Sequence, residues 1–461
     1  MSEPKTAPSV EPPSDAKGPV QSRLSRWLEQ NFGVADPLRT TLRHLFPDHW
    51  SFFFGEIALY CFIILVATGI FLAMFYRSSV EQVVYQGSYA PLHGVPMSDA
   101  YASVLQISFD VQAGLIVRQM HHWAALVFVA ALVLHFGRLL FTGAFRRPRV
   151  TNWLVGSSLL LLVLFNGFTG YSAPDDLLSG TGLRIAYSIT ESIPLLGPWL
   201  AVGLFAGDFP GFVFVPRIFP VHILLVPALI AGLLALHLTI LWRQRHTQYP
   251  GQGRSEARLI GTPLVPAYAL RTLGFFFFVA AVLFFLAGFM QVNPVWLYGP
   301  YQPWDSTAFA QPDWYTGWLE GAVRLFPAAD IRIGDFLLPG IFWPAVVVPA
   351  VLFAVIYTWP RLDRRVTGDS AFHNLLNTFC AHPGRTAIGL GTLSALTVLL
   401  LAGGDDVLAV VLGTSERTLV WTFRITVLVA PFVVGGVVYA LCRRAGSRPG
   451  PQPESGGESE P

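Results

Sequence analysis

The chain has 461 residues, of which 53% are hydrophobic and only 13% charged, about half the charged share of an ordinary globular protein. Long stretches such as 57–76 and 152–168 carry no Lys, Arg, Asp or Glu, and several reach the roughly 20 apolar residues that cross a hydrocarbon core. The class is therefore an all-α polytopic membrane protein. Cys61, Cys380 and Cys442 are too widely spaced for a secreted disulfide scaffold, and a net charge of +2 gives no reason to expect a nucleic-acid partner.

In chain order, residues 1–22, with Pro4, Pro8, Pro12, Pro13 and Pro19, read as a disordered tail without the apolar core of a signal peptide. Residues 23–52 read as an amphipathic segment at the cytoplasmic face. Eight spans follow, at about 53–76, 117–142, 152–172, 219–242, 269–291, 337–358, 386–403 and 418–442. The first four make a four-helix bundle within 53–250, and the other four make a C-terminal transmembrane domain within 251–442. Residues 443–461 read as a second disordered tail. The connections 173–217 and 292–336 are long and rich in Gly, Pro and aromatic residues, so they are expected to be structured. Basic clusters at Arg146, Arg147 and Arg149, at Arg243 and Arg245, at Arg361, Arg364 and Arg365, and at Arg443 and Arg444 fall on one side. The positive-inside rule makes that side cytoplasmic, with both termini there and the two long loops outside.

Four histidines lie inside the expected spans, His121 and His135 on the second and His222 and His237 on the fourth. An ionisable group at such depth points to function. His121 and His135 are 14 residues apart, which is about 21 Å and about 40° off one helix face. His222 and His237 are 15 apart with Pro227 between them, about 60° off, a mismatch that a kink at the proline can absorb. Both helices run from outside to inside, so His121 can face His222 near the outer surface and His135 can face His237 near the inner one. Two axial imidazoles per site is how a b-type haem iron is held, so two haems stacked across the bilayer are expected. His122 points about 140° away from His135 and is a neighbour rather than a ligand.

A flat macrocycle also needs close backbone approach. Gly55 and Gly69 on the first span, and Gly156 and Gly170 on the third, repeat the 14-residue spacing. Arg118 and Arg138 each lie three residues from one of the histidines, placed either to meet haem propionates or to snorkel to the interface.

With these residues the chain resembles cytochrome b of the quinol–cytochrome c reductase (cytochrome bc) complexes over nearly its whole length after the tail. The paired glycines, RQMHHWAALVFVAALVLHFGR at 118–138, GYSAP at 170–174 and PDWY at 312–315 carry the resemblance. The last is similar to the family's Pro-Glu-Trp-Tyr signature of the quinol-oxidising site, with Asp313 in place of Glu. SAPDD replaces the Leu-Pro-Trp of many relatives at the exit of the third span. The 15-residue histidine spacing is similar to the photosynthetic and Gram-positive branches, and together with PDWY and the Arg-rich, Gly-rich character the chain resembles the actinobacterial variant.

The resemblance implies that quinol, menaquinol in that branch, is oxidised at an outer site. One electron passes to a Rieske iron–sulfur protein and the other through the two haems to an inner quinone site, contributing to a proton gradient. Asp313 is then the quinol hydrogen-bond partner and proton acceptor, or a helix-capping carboxylate. Tyr315 shapes the same pocket or packs as an interfacial aromatic. His246, Glu56, His49 and Asp48 are open candidates for the inner site, each equally able to be an interfacial residue facing water. Asp175 and Asp176 either bear on the outer site or start a short helix. The implied setting is a dimeric complex in a bacterial plasma membrane, with a di-haem cytochrome c subunit and a haem-copper oxidase as partners. A di-haem anchor of a dehydrogenase would share the histidine pairs but lack the outward PDWY loop. A secondary transporter would show internal repeats and mid-membrane charges, and no convincing repeat is visible.

Overall fold

In a computed structural model, residues 44–446 are described, apart from 208, 210, 212, 306–310, 328 and 335. The expectations for 1–22, for most of 23–52 and for 447–461 fall outside the described residues. Among the described residues, eight helices are long and apolar enough to cross a membrane: Trp50–Ala73, Gly114–Thr142, Val150–Tyr171, Phe214–Gln244, Leu264–Phe289, Trp343–Thr367, Pro383–Ala402 and Glu416–Ala445. They are called the first to eighth spans below. In such a setting each backbone N–H and C=O must be satisfied within its own segment, which is why apolar runs of this length become helices.

Several expected boundaries move, the fourth and fifth spans starting five residues early at Phe214 and Leu264 and the sixth running on to Thr367, and two of the shifts have a plain structural cause. The sixth span starts at Trp343 rather than near 337, because Phe336–Leu338 pairs antiparallel with Ile331–Ile333. Its apolar residues had merged with the helix in the hydropathy pattern. The eighth span's helix runs to Gly446, so 443–446 are helical rather than part of a tail. Its Arg443 and Arg444 sit in the last turn, where cations favour the helix's negative end.

The first span packs along the second, and the third along the fourth. The bundle is thus two antiparallel helix pairs that face each other. The fifth span covers the second from outside the bundle, and the seventh and eighth pack on each other. The 173–217 and 292–336 connections carry helices at Leu177–Glu191, Gly197–Phe205 and Trp314–Leu325, as expected of structured loops, and a further helix, Asp99–Phe109, lies between the first and second spans. Asp176 starts the 177–191 helix with a reciprocal capping box to Ser179.

The fourth span is not a uniform α-helix. Val221–Leu225 forms a π-turn ahead of Pro227, with Val226 N–H donating to Val221 O. Pro227 has no N–H to give, and the ladder before it opens by one residue. That extra residue absorbs the difference between the 15-residue spacing of His222 and His237 and the 14-residue spacing of the second span. The expected kink at the proline is therefore a π-turn one step ahead of it.

Cys380 and Cys442 form a disulfide, and Cys61 is buried and free. Separation in sequence hid this pairing. The antiparallel seventh and eighth spans bring the loop before Pro383 to the end of the last helix. Nearby, Asp363 on the sixth span takes two hydrogen bonds of 2.9 Å from Arg385 on the seventh, with both residues buried. Removing one member of a buried, bidentate pair leaves an uncompensated charge, at about 3–5 kcal/mol. Asp363→Ala is therefore expected to lower the apparent Tm in detergent far more than Asp48→Ala, whose pair with Arg271 is about half exposed and worth about 0–1 kcal/mol.

Candidate functional site

Each of the four glycines lies against a different one of the four histidines. A Cβ at Gly69 would sit 3.3 Å from His121 Cε1, and one at Gly170 only 2.5 Å from His222 Cε1. A Cβ at Gly55 would be 3.3 Å from His135 Cε1, and one at Gly156 3.6 Å from His237 Cε1. The first span therefore backs the histidines of the second, and the third backs those of the fourth, at two depths.

At the outer depth the ring centroids of His121 and His222 are 6.3 Å apart. Two imidazole–metal bonds of about 2 Å, plus the two ring radii, fill that distance. Local hydrogen bonds also set which nitrogen is free. The Thr68 hydroxyl donates to Ile64 O at 2.7 Å, so toward His121 Nδ1, 2.9 Å away, it acts as acceptor. Thr169 likewise donates to Asn166 O at 2.8 Å and lies 3.1 Å from His222 Nδ1, which also meets Asn166 O at 3.1 Å. Both Nδ1 atoms therefore carry the proton, and both Nε2 lone pairs are left for a ligand. Sequence reasoning missed these threonines. The signal was a Thr-Gly dipeptide at 68–69 and again at 169–170, each threonine 53 residues ahead of its histidine. At the inner depth Phe54 and Val155 stand in the threonine positions, and His135 Nδ1 and His237 Nδ1 are buried without a side-chain partner.

The two arginines are only partly satisfied. Arg118 Nε and Nη2 and Arg138 Nε are buried without a hydrogen-bond partner, while Arg118 leans on Trp296 and Arg138 on Phe52. A buried guanidinium with open N–H groups suits an anionic ligand group.

His122, turned away from the other histidines as its spacing requires, points at Asp313. Its Nε2 donates to Asp313 Oδ1 at 2.6 Å, and the Tyr315 hydroxyl donates to Oδ2 at 3.0 Å. Asp313 stands at the N-cap position of the 314–325 helix, yet its side chain makes no capping bond. The carboxylate is 8% exposed. Gly167 makes room for the phenol, since a Cβ there would lie 2.5 Å from the Tyr315 oxygen. Burial and the adjoining carboxylate hold the Tyr315 pKa well above its usual value, so the phenol stays protonated and a donor. A single cavity of about 470 Å³ is lined by His121, His222, Arg118, His122, Asp313 and Tyr315. The ligand-ready histidines and the carboxylate thus share one chamber.

Asp176 also lines this cavity while capping its helix, and Asp175 precedes it at φ 56°. Burial pushes both carboxyls up to about 6. Asp176 thus caps the short helix and lines the cavity at once.

The four inner-face candidates are not brought together as one group. Glu56 accepts from the Tyr60 hydroxyl at 2.8 Å, the Tyr268 hydroxyl at 2.6 Å and Thr272 Oγ1 at 3.1 Å. Asp48 is paired with Arg271 and Thr262, and His49 Nδ1 accepts from Ser51 N–H. His246 packs 4.7 Å from Phe46, and burial, then His44, Arg138 and Arg149, push its imidazole down to about 3. It is neutral at any physiological pH.

Fold and site together define a helical membrane electron-transfer protein. The profile of the cytochrome b(N-terminal)/b6/petB family matches residues 126–300. The cytochrome bc1 complex cytochrome b subunit of Mycobacterium leprae is 45% identical over 440 residues, covering 95% of this chain and 78% of that one. The corresponding subunit of Streptomyces coelicolor is 44% identical over 430 residues, 93% of this chain and 79% of that one. In fold, a chain of a hyperthermophilic respiratory Complex III matches with a TM-score of 0.66 at 20% identity, covering 89% of this chain and 99% of its own. The chain belongs to the family of cytochrome b subunits of the cytochrome bc1 complex.

The glycine distances rank the substitutions. Gly170→Ala must displace the His222 ring, whereas Gly156→Ala meets His237 at an ordinary contact distance. Gly170→Ala is expected to lower haem retention through purification, read as the pyridine haemochrome to protein ratio, and Gly156→Ala to leave it close to that of the parent.

Proposed function

We propose that this chain holds two b-type haems, one between His121 and His222 and one between His135 and His237, and oxidises quinol beside the outer one. The observation that carries this reading is the shared cavity, in which two nitrogen ligands with fixed tautomers and a buried His122–Asp313–Tyr315 cluster face the same space. The residues fit the groups. Gly55, Gly69 and Gly170 leave room where a Cβ would crowd a ring, the outer Nε2 atoms are free, and Arg118 and Arg138 keep buried N–H groups open for propionates.

When bound, the two haems supply one-electron carriers at two depths. The protein's own part is protonic and positional. Asp313 replaces the longer Glu of many relatives, and His122 reaches in from the second span to meet it. Asp313 Oδ1 accepts from His122 and, at 3.5 Å, from Asn293 Nδ2, while Oδ2 accepts only from Tyr315, so Oδ2 keeps a lone pair open to a proton from a quinol hydroxyl. Tyr315, kept protonated, orients the carboxylate. At the inner face Glu56, ringed by three hydroxyl donors, is the better candidate for proton exchange with quinone, because His246 is held neutral.

Electrons must leave through other subunits. Cys380 and Cys442 are paired, Cys61 is buried, and no group of three or more metal-binding side chains occurs among the described residues. A Rieske iron–sulfur protein and a cytochrome c subunit fit that need. The relatives from Mycobacterium, Streptomyces and Corynebacterium are cytochrome bc1 complex cytochrome b subunits of the branch that the sequence resembles. That resemblance is the ground for proposing menaquinol as reductant, a di-haem cytochrome c, a haem-copper oxidase in the same assembly and a dimeric complex. Eight spans and the arginine clusters support a bacterial plasma membrane location with both termini in the cytoplasm.

The deciding experiment is a reduced-minus-oxidised spectrum with a haem count on the purified complex. Two b haems per chain are expected, one lost in His121→Ala or His222→Ala and the other in His135→Ala or His237→Ala. Absence of haem from a well-folded preparation would overturn the assignment. Asp313→Asn should keep both haems and slow quinol oxidation by roughly 10²–10⁴-fold, the usual contribution of a positioned base.

A further inference from the structure

The helix that carries Asp313 and Tyr315 is held by residues far along the chain. Just ahead of Asp313, Gln311 Nε2 donates to Asp406 Oδ1 at 2.8 Å. At the other end of the helix Arg324 bonds Asp405 and lies 3.3 Å from Asp406, while Glu320 one turn back steadies the guanidinium at 2.6 Å. Arg424 of the eighth span donates through Nε to Leu325 O at 2.7 Å, satisfying one of the carbonyls that a helix end leaves free. Asp405 and Asp406 open the helix Asp405–Leu412 between the seventh and eighth spans, where acidic side chains are favoured.

Between these ties the backbones touch. A Cβ at Gly321 would lie 1.8 Å from Leu399 O, and one at Gly403 would lie 2.4 Å from Gly317 O. Glycine on both sides lets the 314–325 helix lie directly on the end of the seventh span. A 12-residue helix is about 18 Å long, and this one is fastened at both ends and along its length. His122 stands on a different element, the second span, so the placement of the helix sets the 2.6 Å contact between His122 and Asp313. A shift of about 1 Å would take that contact beyond hydrogen-bond range.

We propose that the corner formed by Gly403, Asp405 and Asp406, together with Arg424, is a positioning element for the quinol-oxidising carboxylate, and that the last two spans serve the outer site through it. This rests on Asp313 being the quinol partner. Among the described residues the polar contacts of Asp405, Asp406 and Arg424 run to Gln311, Arg324 and Leu325 and not to the haem-facing residues, so the corner's effect should reach quinol chemistry and spare the cofactors.

The test uses the purified complex carrying Asp406→Ala or Arg424→Ala. Quinol kcat/KM is expected to fall by about 10- to 100-fold, the scale of a 1 Å misplacement, with both haems present in full. The pH profile of kcat/KM should shift as well, because the partner of Asp313 is loosened. Asp406→Asn keeps the oxygen that Gln311 needs, and Arg424→Lys keeps a donor, so both should recover most of the rate. Unchanged kcat/KM and pH profile in the two alanine variants would overturn the proposal, as would haem loss in parallel with rate. If Asp406→Ala does not assemble, Gln311→Met removes the same tie from the other side, and a normal rate there would also overturn it. Asp313→Asn run alongside separates the two readings. Full activity in that variant sinks the role of Asp313 itself, whereas lost activity there with normal alanine variants sinks only the corner.

Discussion

The structure depends on one steric constraint, that a histidine ring buried between membrane helices needs a facing backbone with no side chain. Gly55, Gly69 and Gly170 meet this need against His135, His121 and His222, while Gly156 faces His237 at an ordinary contact distance. The 14-residue spacing then fixes the registers of the first and third spans against the second and fourth, because a slip by a single turn would drive side chains into all four rings. The fourth span carries one residue too many for that register. The π-turn at Val221–Leu225 removes it locally, leaving His222 and His237 on a common face.

Electrostatics and hydrogen bonding then divide the histidines by role. His121 and His222 are held through Nδ1 by Thr68 and by Thr169 with Asn166, which directs their second nitrogens to a ligand. His122, adjacent in sequence to His121, lies on another face and serves the carboxylate instead. Adjacent histidines on one helix therefore meet different partners, His121 the Thr68 hydroxyl and the His222 ring and His122 the Asp313 carboxylate, because about 100° of rotation per residue separates their surroundings.

The C-terminal half adds mechanical definition. The buried Asp363–Arg385 pair joins the sixth and seventh spans, and Cys380–Cys442 joins the two ends of the seventh and eighth spans' hairpin. At the opposite end of that hairpin, the contacts around Gly403 and Asp406 bear on the 314–325 helix. These spans carry no ligand-bearing histidine, yet they bound the outer cavity through the helix they hold.

The sequence by itself determined the eight apolar runs, the two histidine pairs, the four glycines and the PDWY segment, because span length and helical spacing are local quantities read along one chain. The family followed from the same residues. Tertiary structure decided what local periodicity does not encode. His122 meets Asp313 across 191 positions of sequence, and Gln311 meets Asp406 across 95. The π-turn depended on how the ladder ahead of Pro227 relaxed, and the start of the sixth span on a hairpin whose apolar residues look like helix. Cys380 and Cys442 pair only because two antiparallel helices return one to the other. The His122–Asp313, Gln311–Asp406 and Cys380–Cys442 contacts join distant segments and are set by packing, whereas the π-turn and the hairpin are local features that hydropathy does not distinguish from plain helix.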